Sequence, residues 1–247
     1  MTTLHVREVG QGPRVVLVHG AMLNAEHTWS RQLELAARWR LVLPDRRGFA
    51  PNPPDIGSDF ERDAADLAHL LDEPAHLVGH SYGAVVALLM AGSAPSSVRS
   101  LALLEPPLRQ LARGVPEVEE AIVRHEQLVA SADPDHVYRG MLRSLGAPVP
   151  DRALSEVERR HTELLMNERR PWDAALPLEQ LRSARLPVLV ATGGHDPVFE
   201  LISDRLAAEL DGARSVLTGA GHAVQRAPGL NDVLEAFWCA TGVADTL

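Results

Sequence analysis

The stretch Leu77-Val78-Gly79-His80-Ser81-Tyr82-Gly83-Ala84, continued to Met90 by small and aliphatic residues, predicts a strand, a sharp turn and a helix in immediate succession. Gly79 and Gly83 flank Ser81 at the spacing Gly-x-Ser-x-Gly, and the absent side chains let strand and helix pass close enough to hold the serine strained and exposed. Ser81 is then expected to point outward at the helix N-terminus. There, unpaired backbone N–H groups and the positive end of the helix dipole face the negative charge that develops during acyl transfer.

Composition narrows what such a serine could do. With 247 residues, 45% of them hydrophobic, the chain can bury a substantial core, and one α/β domain with an inserted cap is the expected organisation. The net charge of -9 and the lack of any basic run exclude nucleic acid as an expected partner. Lysine is absent, so all 24 positive side chains are arginine, and Schiff-base lysines, Ser-Lys dyads and a phosphate-loop lysine are excluded. The single cysteine, Cys239, cannot form an intrachain disulfide and is expected to pack as a small hydrophobe in its apolar surroundings. The stretch Met1 to Arg7 has no apolar signal core, and no run reaches membrane-spanning length, so a soluble cytoplasmic protein is expected.

Outward from the Ser81 stretch, strands are predicted at Leu4 to Val9, Val15 to Val18, Leu41 to Leu43, Val98 to Leu104, Val188 to Ala191 and Ser215 to Leu217. Helical spacing recurs at Leu33 to Trp39, Phe60 to Leu71, Val198 to Leu210 and Asn231 to Ala240. This alternation implies a mostly parallel central sheet with helices on both faces. Between Leu108 and Arg185 the pattern changes to charged helical segments at Pro116 to Ala130, Pro134 to Leu145 and Pro150 to Glu168, each with proline near its start. The expected division is therefore a core of residues 1–107 and 186–247 and a helical cap of residues 108–185.

A serine hydroxyl needs a base within hydrogen-bond reach, itself oriented by an acid. Two further predicted strands end in Gly-rich turns carrying ionisable groups: Thr192-Gly193-Gly194-His195-Asp196 and Thr218-Gly219-Ala220-Gly221-His222. Together with Ser81 they present the chain order Ser, Asp, His. Glu105, at the end of the strand after the Ser81 strand, is the competing acid. His19, His80 and His195 are read as structural neighbours. Arg46 and Arg47 are expected to ion-pair with Asp45, with a substrate carboxylate as the alternative. No metal signature and no complete dinucleotide fingerprint occurs.

Over nearly its whole length the sequence resembles the α/β-hydrolase family in its small form with a helical cap. His19-Gly20 with Trp29 downstream, Asp45-Arg46-Arg47-Gly48, the Ser81 turn, and the Asp196 and His222 turns carry the resemblance. It implies Ser81 as nucleophile, His222 as general base and then acid, Asp196 as the orienting carboxylate, and an oxyanion hole from the backbone N–H groups of Tyr82 and Ala21, with Met22 as the alternative to Ala21. The chain departs from the family pattern at Ala50 and Asn52, where a second Gly and a Ser are usual, and shows seven strand runs where eight are common. The expected activity is cofactor-free hydrolysis of a small, largely apolar ester, lactone or thioester through an acyl-enzyme. C–C bond cleavage, a lyase or a perhydrolase reaction on the same residues is the alternative, and a hydrolase-fold receptor the alternative of another class. Met22, Leu23, Tyr82, Leu108, Trp172, Phe199 and Val224 are the expected apolar walls of the pocket.

Overall fold

The computed structural model describes residues 4–57 and 59–242; of the N-terminal stretch and core segments read above, residues 1–3, 58 and 243–247 lie outside it. The strands are β1 (Val6–Val9), β2 (Arg14–Val18), β3 (Arg40–Pro44), β4 (Ala75–His80), β5 (Val98–Leu104), β6 (Val188–Thr192) and β7 (Ala213–Val216). They form one sheet in the order β1-β3-β2-β4-β5-β6-β7. β1 pairs antiparallel with β3 and the other pairs are parallel. The helices are α1 (Ala25–Thr28), α2 (Phe60–Leu67), α3 (Tyr82–Ser93), α4 (Pro116–Val129), α5 (Pro134–Ser144), α6 (Glu156–Asn167), α7 (Leu178–Ser183), α8 (Pro197–Glu209) and α9 (Leu230–Gly242).

The central strands β2, β4 and β6 are buried at every position, which is why Val15 to Val18 and Val188 to Ala191 read as unbroken apolar runs rather than alternating ones. Successive side chains go to opposite faces. Val16, Val18, Leu77 and Leu103 pack with Phe60, Leu67, Val85 and Ile202 on one face. Val15, Leu17, Val78 and Leu104 pack with Trp29, Trp39, Leu234 and Trp238 on the other. α3, from Val85 to Leu88 buried at four successive positions, lies within the first of these cores.

The segment between β5 and β6 holds α4 to α7 and, among the described residues, no strand. A separate small cluster of Val129, Val137, Tyr138, Met141 and Leu165 joins α4, α5 and α6 and reaches the core side through Met22. Three local expectations are corrected. The last of the three segments becomes helical at Glu156 and not Pro150, because Ser155 and Glu158 form a capping box that starts the helix there. β7 begins two residues earlier than expected, at Ala213. Cys239 is exposed: Leu230, Leu234 and Trp238 recur at four-residue spacing on the inner stripe of α9, and Cys239 lies off it. No helix is long and apolar enough to cross a membrane, among the described residues.

Candidate active site

Ser81 joins β4 to α3 with φ of 54°, in the left-handed region that a non-glycine residue rarely adopts. The flanking glycines make that turn possible by close approach. A Cβ on Gly83 would stand 2.3 Å from the His19 carbonyl oxygen and 2.4 Å from that of Val18, and one on Gly79 would stand 2.3 Å from the Gly83 carbonyl oxygen. Ser81 precedes α3 but its side chain does not cap the helix. Its Oγ lies instead 3.0 Å from His222 Nε2.

The acid beside His222 is Glu105. Its Oε2 is 3.3 Å from His222 Nδ1, and its Oε1 is 3.6 Å from His195 Nδ1 and accepts the Gly193 N–H at 2.6 Å. Glu105 is fully buried, sits just past β5 at φ of 51°, and donates its own N–H to the Ala191 carbonyl at 2.9 Å. Burial pushes its carboxyl up, but the His195 and His222 rings and the Gly193 N–H outweigh burial and hold it down to about 2. The Glu105 carboxylate beside it in turn raises His195.

Asp196, expected in that position, does not reach His222. It caps α8, its Oδ1 accepting the Val198 N–H at 2.7 Å, a use its place before Pro197 and a helical run favours. The Gly193-Gly194 turn serves the other acid: Gly193 donates to Glu105, and its missing Cβ leaves room for the Gly221 carbonyl oxygen, which would stand 2.0 Å from that atom. The turn carrying His222 is thereby packed onto the end of β6.

Three further buried histidines hold the loops. His19 accepts the Arg46 N–H at Nε2 (2.9 Å), which puts its proton on Nδ1, donated to the Gly20 carbonyl (2.8 Å); burial keeps the ring well below its usual range. His80, which burial pushes down to about 3 and so keeps neutral, donates Nε2–H to the His222 backbone carbonyl at 2.9 Å and holds that turn in place. His161, on α6, ties that helix to the loops after β2 and β3: Nε2 accepts the Ala50 N–H and Nδ1 donates to the Met22 carbonyl at 3.1 Å.

Arg46 and Arg47 do not pair with Asp45. Arg46 is buried between Asp63 (2.7 Å) and Glu168 and also donates to the Gly20 carbonyl. Arg47 holds Asp66 and Asp55. Asp45 accepts instead from Ala25 N–H and contacts His5. Asn52, one of the two departures from the family pattern, closes this loop by donating to the Asp45 carbonyl and accepting the His5 N–H.

Ser81 and His222 open into a cavity of about 820 Å³ also lined by Ala21, Met22, Leu23, Tyr82, Trp172 and Phe199. Leu108 and Val224, expected among the walls, are fully buried in the two sheet cores instead. An apolar residue after a strand end does not reveal from sequence which way it turns. The walls that sequence reading missed come from α4, α5 and α6, among them His125, Leu128, Tyr138, Met141 and Leu165, together with Arg109. Their i, i+3 and i+4 spacing marks an apolar face without telling core from cavity.

Among the described residues one group could offer three metal ligands, Glu105, His195 and His222. A metal there would take the Nδ1 and carboxylate atoms that link His222 to Glu105. Chemically, the arrangement offers a hydroxyl next to an imidazole, an imidazole backed by a buried carboxylate, and the unpaired N–H groups at the start of α3.

The chain matches the model of the Alpha/beta hydrolase family over residues 15–230. It is 30% identical over 227 residues to Lipase LipV of Mycobacterium tuberculosis, covering 84% of each chain. Over 101 residues it is 37% identical to a pimeloyl-(acyl-carrier protein) methyl ester esterase of Aeromonas salmonicida, covering 40% of each. Among solved structures, a thermophilic esterase from Thermogutta terrifontis superposes with a TM-score of 0.70 at 23% identity, covering 98% of this chain and 93% of that one, a likeness of fold.

Proposed function

The chain belongs to the alpha/beta hydrolase family, and from that premise we propose that it is a serine hydrolase cleaving a carboxylic ester, lactone or thioester of a small, largely apolar substrate through an acyl-enzyme. The observation that carries the reading is the contact of Ser81 Oγ with His222 Nε2 at 3.0 Å, backed by Glu105 at His222 Nδ1. Lipase and ester-hydrolase relatives support the reaction class.

In this reading Ser81 Oγ attacks the substrate carbonyl as His222 Nε2 takes its proton. The buried Glu105 carboxylate, already ionised at any working pH, orients the ring and stabilises the imidazolium. The tetrahedral oxyanion is held by the backbone N–H of Tyr82, the first residue of α3, and by that of Ala21 in the loop after β2. His222 then protonates the leaving group and, in the second half, takes a proton from water, whose oxygen attacks the acyl carbon and releases Ser81. The segment 108–185 acts as a cap: its helices roof Ser81, exclude water and shape the acyl and alcohol subsites.

Turnover of aryl esters and thioesters of graded acyl length tests the proposal. Steady hydrolysis that Ser81→Ala lowers by about 10⁴-fold or more supports it. Turnover that survives Ser81→Ala refutes it.

A further inference from the structure

The cavity contains a cation that the proposed acyl-transfer chemistry does not use. Arg109 lies just beyond Glu105-Pro106-Pro107-Leu108 and lines the same cavity as Ser81 and His222. Its guanidinium carbon stands 4.6 Å over the Trp172 ring, and its Nε is buried with no hydrogen-bond partner. Other arginines lining the cavity are each committed. Arg124 holds Glu120, Arg169 holds Glu61, and Arg170 holds Glu126, while Arg226 is exposed with its Nη2 on the His27 carbonyl. Arg109 makes no ion pair or side-chain hydrogen bond among the described residues. Asp196 and Glu126 lie near enough to favour its charge without bonding to it, and Asp196 is already occupied by the Val198 N–H.

An unpaired guanidinium in a largely apolar cavity is a costly feature unless something carrying negative charge completes it. A guanidinium whose carbon lies over an indole face makes no hydrogen bond with that ring, so its N–H fork is left to a ligand, and that planar fork matches a carboxylate. Trp172 is itself braced by the His125 ring, edge-on at 5.1 Å. Burial, followed by the neighbouring Arg109 and Arg170 charges, pushes His125 down to about 3, so it adds a neutral wall and no second charge.

We propose that Arg109, stacked on Trp172, is a specificity residue that binds a carboxylate of the substrate, so that the substrate carries an acidic group besides the ester or thioester that is cut. This rests on the serine hydrolase reading for the identity of the scissile bond and on the unpaired Arg109 for the acidic group. Burial lowers Arg109 to about 10, which leaves it a cation at neutral pH.

The test compares kcat/KM for monomethyl esters of linear dicarboxylic acids, succinate to azelate, with that for methyl esters of the monocarboxylic acids of the same length. Expected in the unmodified protein is a preference for the half-ester at one or more lengths. Arg109→Gln should reduce kcat/KM for those half-esters by about 10- to 100-fold, mainly through KM, with much smaller change for the neutral esters. Arg109→Lys should recover part of it, and in both variants the rate of fluorophosphonate labelling at Ser81 should fall by much less than kcat/KM for the half-esters. Equal losses for both ester series, or no preference in the unmodified protein, overturn the proposal. If none of these methyl esters is cleaved, the subsite is read by binding instead, and the hydrolase reading fails separately only if the aryl esters and thioesters are not cleaved either. Calorimetric binding of the same dicarboxylates to Ser81→Ala then decides the subsite: binding lost on adding Arg109→Gln upholds it, and no binding at millimolar dicarboxylate overturns it.

Discussion

Two carboxylates compete for His222 in the sequence, and a single atom-level fact separates them: Glu105 Oε2 lies 3.3 Å from Nδ1, while Asp196 is spent on the α8 N-terminus. Glu105→Gln should therefore lower kcat by about 10³- to 10⁴-fold, because an amide no longer stabilises the imidazolium and can favour the wrong ring tautomer. Asp196→Asn, which keeps a capping oxygen, should stay within about threefold of the parent enzyme. Steady-state kinetics on one ester measures both, and the reverse ranking would return the acid to Asp196. That Ser81 and His222 would meet was legible because each lies in a short glycine-flanked motif whose meaning is local. Which carboxylate would stand beside His222 was not. Whether a carboxylate past β5 or one past β6 reaches His222 depends on how the two turns fold back, and the Gly193 N–H bond to Glu105 is a contact across 88 positions.

At the scale of elements, the strand–turn–helix around Ser81 is a packing problem solved by two missing methyl groups. Gly83→Ala would drive a Cβ to 2.3 Å from the His19 carbonyl oxygen, backbone that cannot swing aside. We expect a loss of about 2 to 4 kcal/mol in stability and a larger proportional loss of activity, since the loop bearing Gly20 and Ala21 must retreat from the turn. Thermal unfolding and kcat together check this, and unchanged values for both would contradict it. Most elements were legible to within a residue or two, because parallel strands covered on both faces are continuous apolar runs. The start of α6 was misplaced because Pro150 is a weaker start signal than the Ser155/Glu158 pair that follows it. The face that α4, α5 and α6 turn toward the cavity was not legible, since periodicity finds an apolar stripe but not what it faces.

For the molecule as a whole, several imidazoles are buried neutral. Burial holds His76 and His161 to about 4 and His80 to about 3, below the usual 6.5. The unfolded chain therefore takes up protons before the folded one as pH falls, so their contribution is present above about pH 6.5 and is lost progressively toward pH 3 to 4. Glu105, held down to about 2 from 4.5, loses its contribution in the same direction but at lower pH. With each such histidine worth about 3 kcal/mol, against a usual total of about 5 to 15, acid unfolding should set in between about pH 6 and 4 with net uptake of more than two protons. Thermal midpoints measured across that range check it, and a midpoint flat down to pH 4 would contradict it. The fold exists, in this account, to bring three distant side chains together at Ser81, and the most direct test is covalent. Intact-mass and peptide mapping after fluorophosphonate treatment should find one adduct, on Ser81, formed rapidly in the unmodified protein, slowed in Glu105→Gln and absent in Ser81→Ala. An adduct on another residue, or one that persists in Ser81→Ala, would contradict the account.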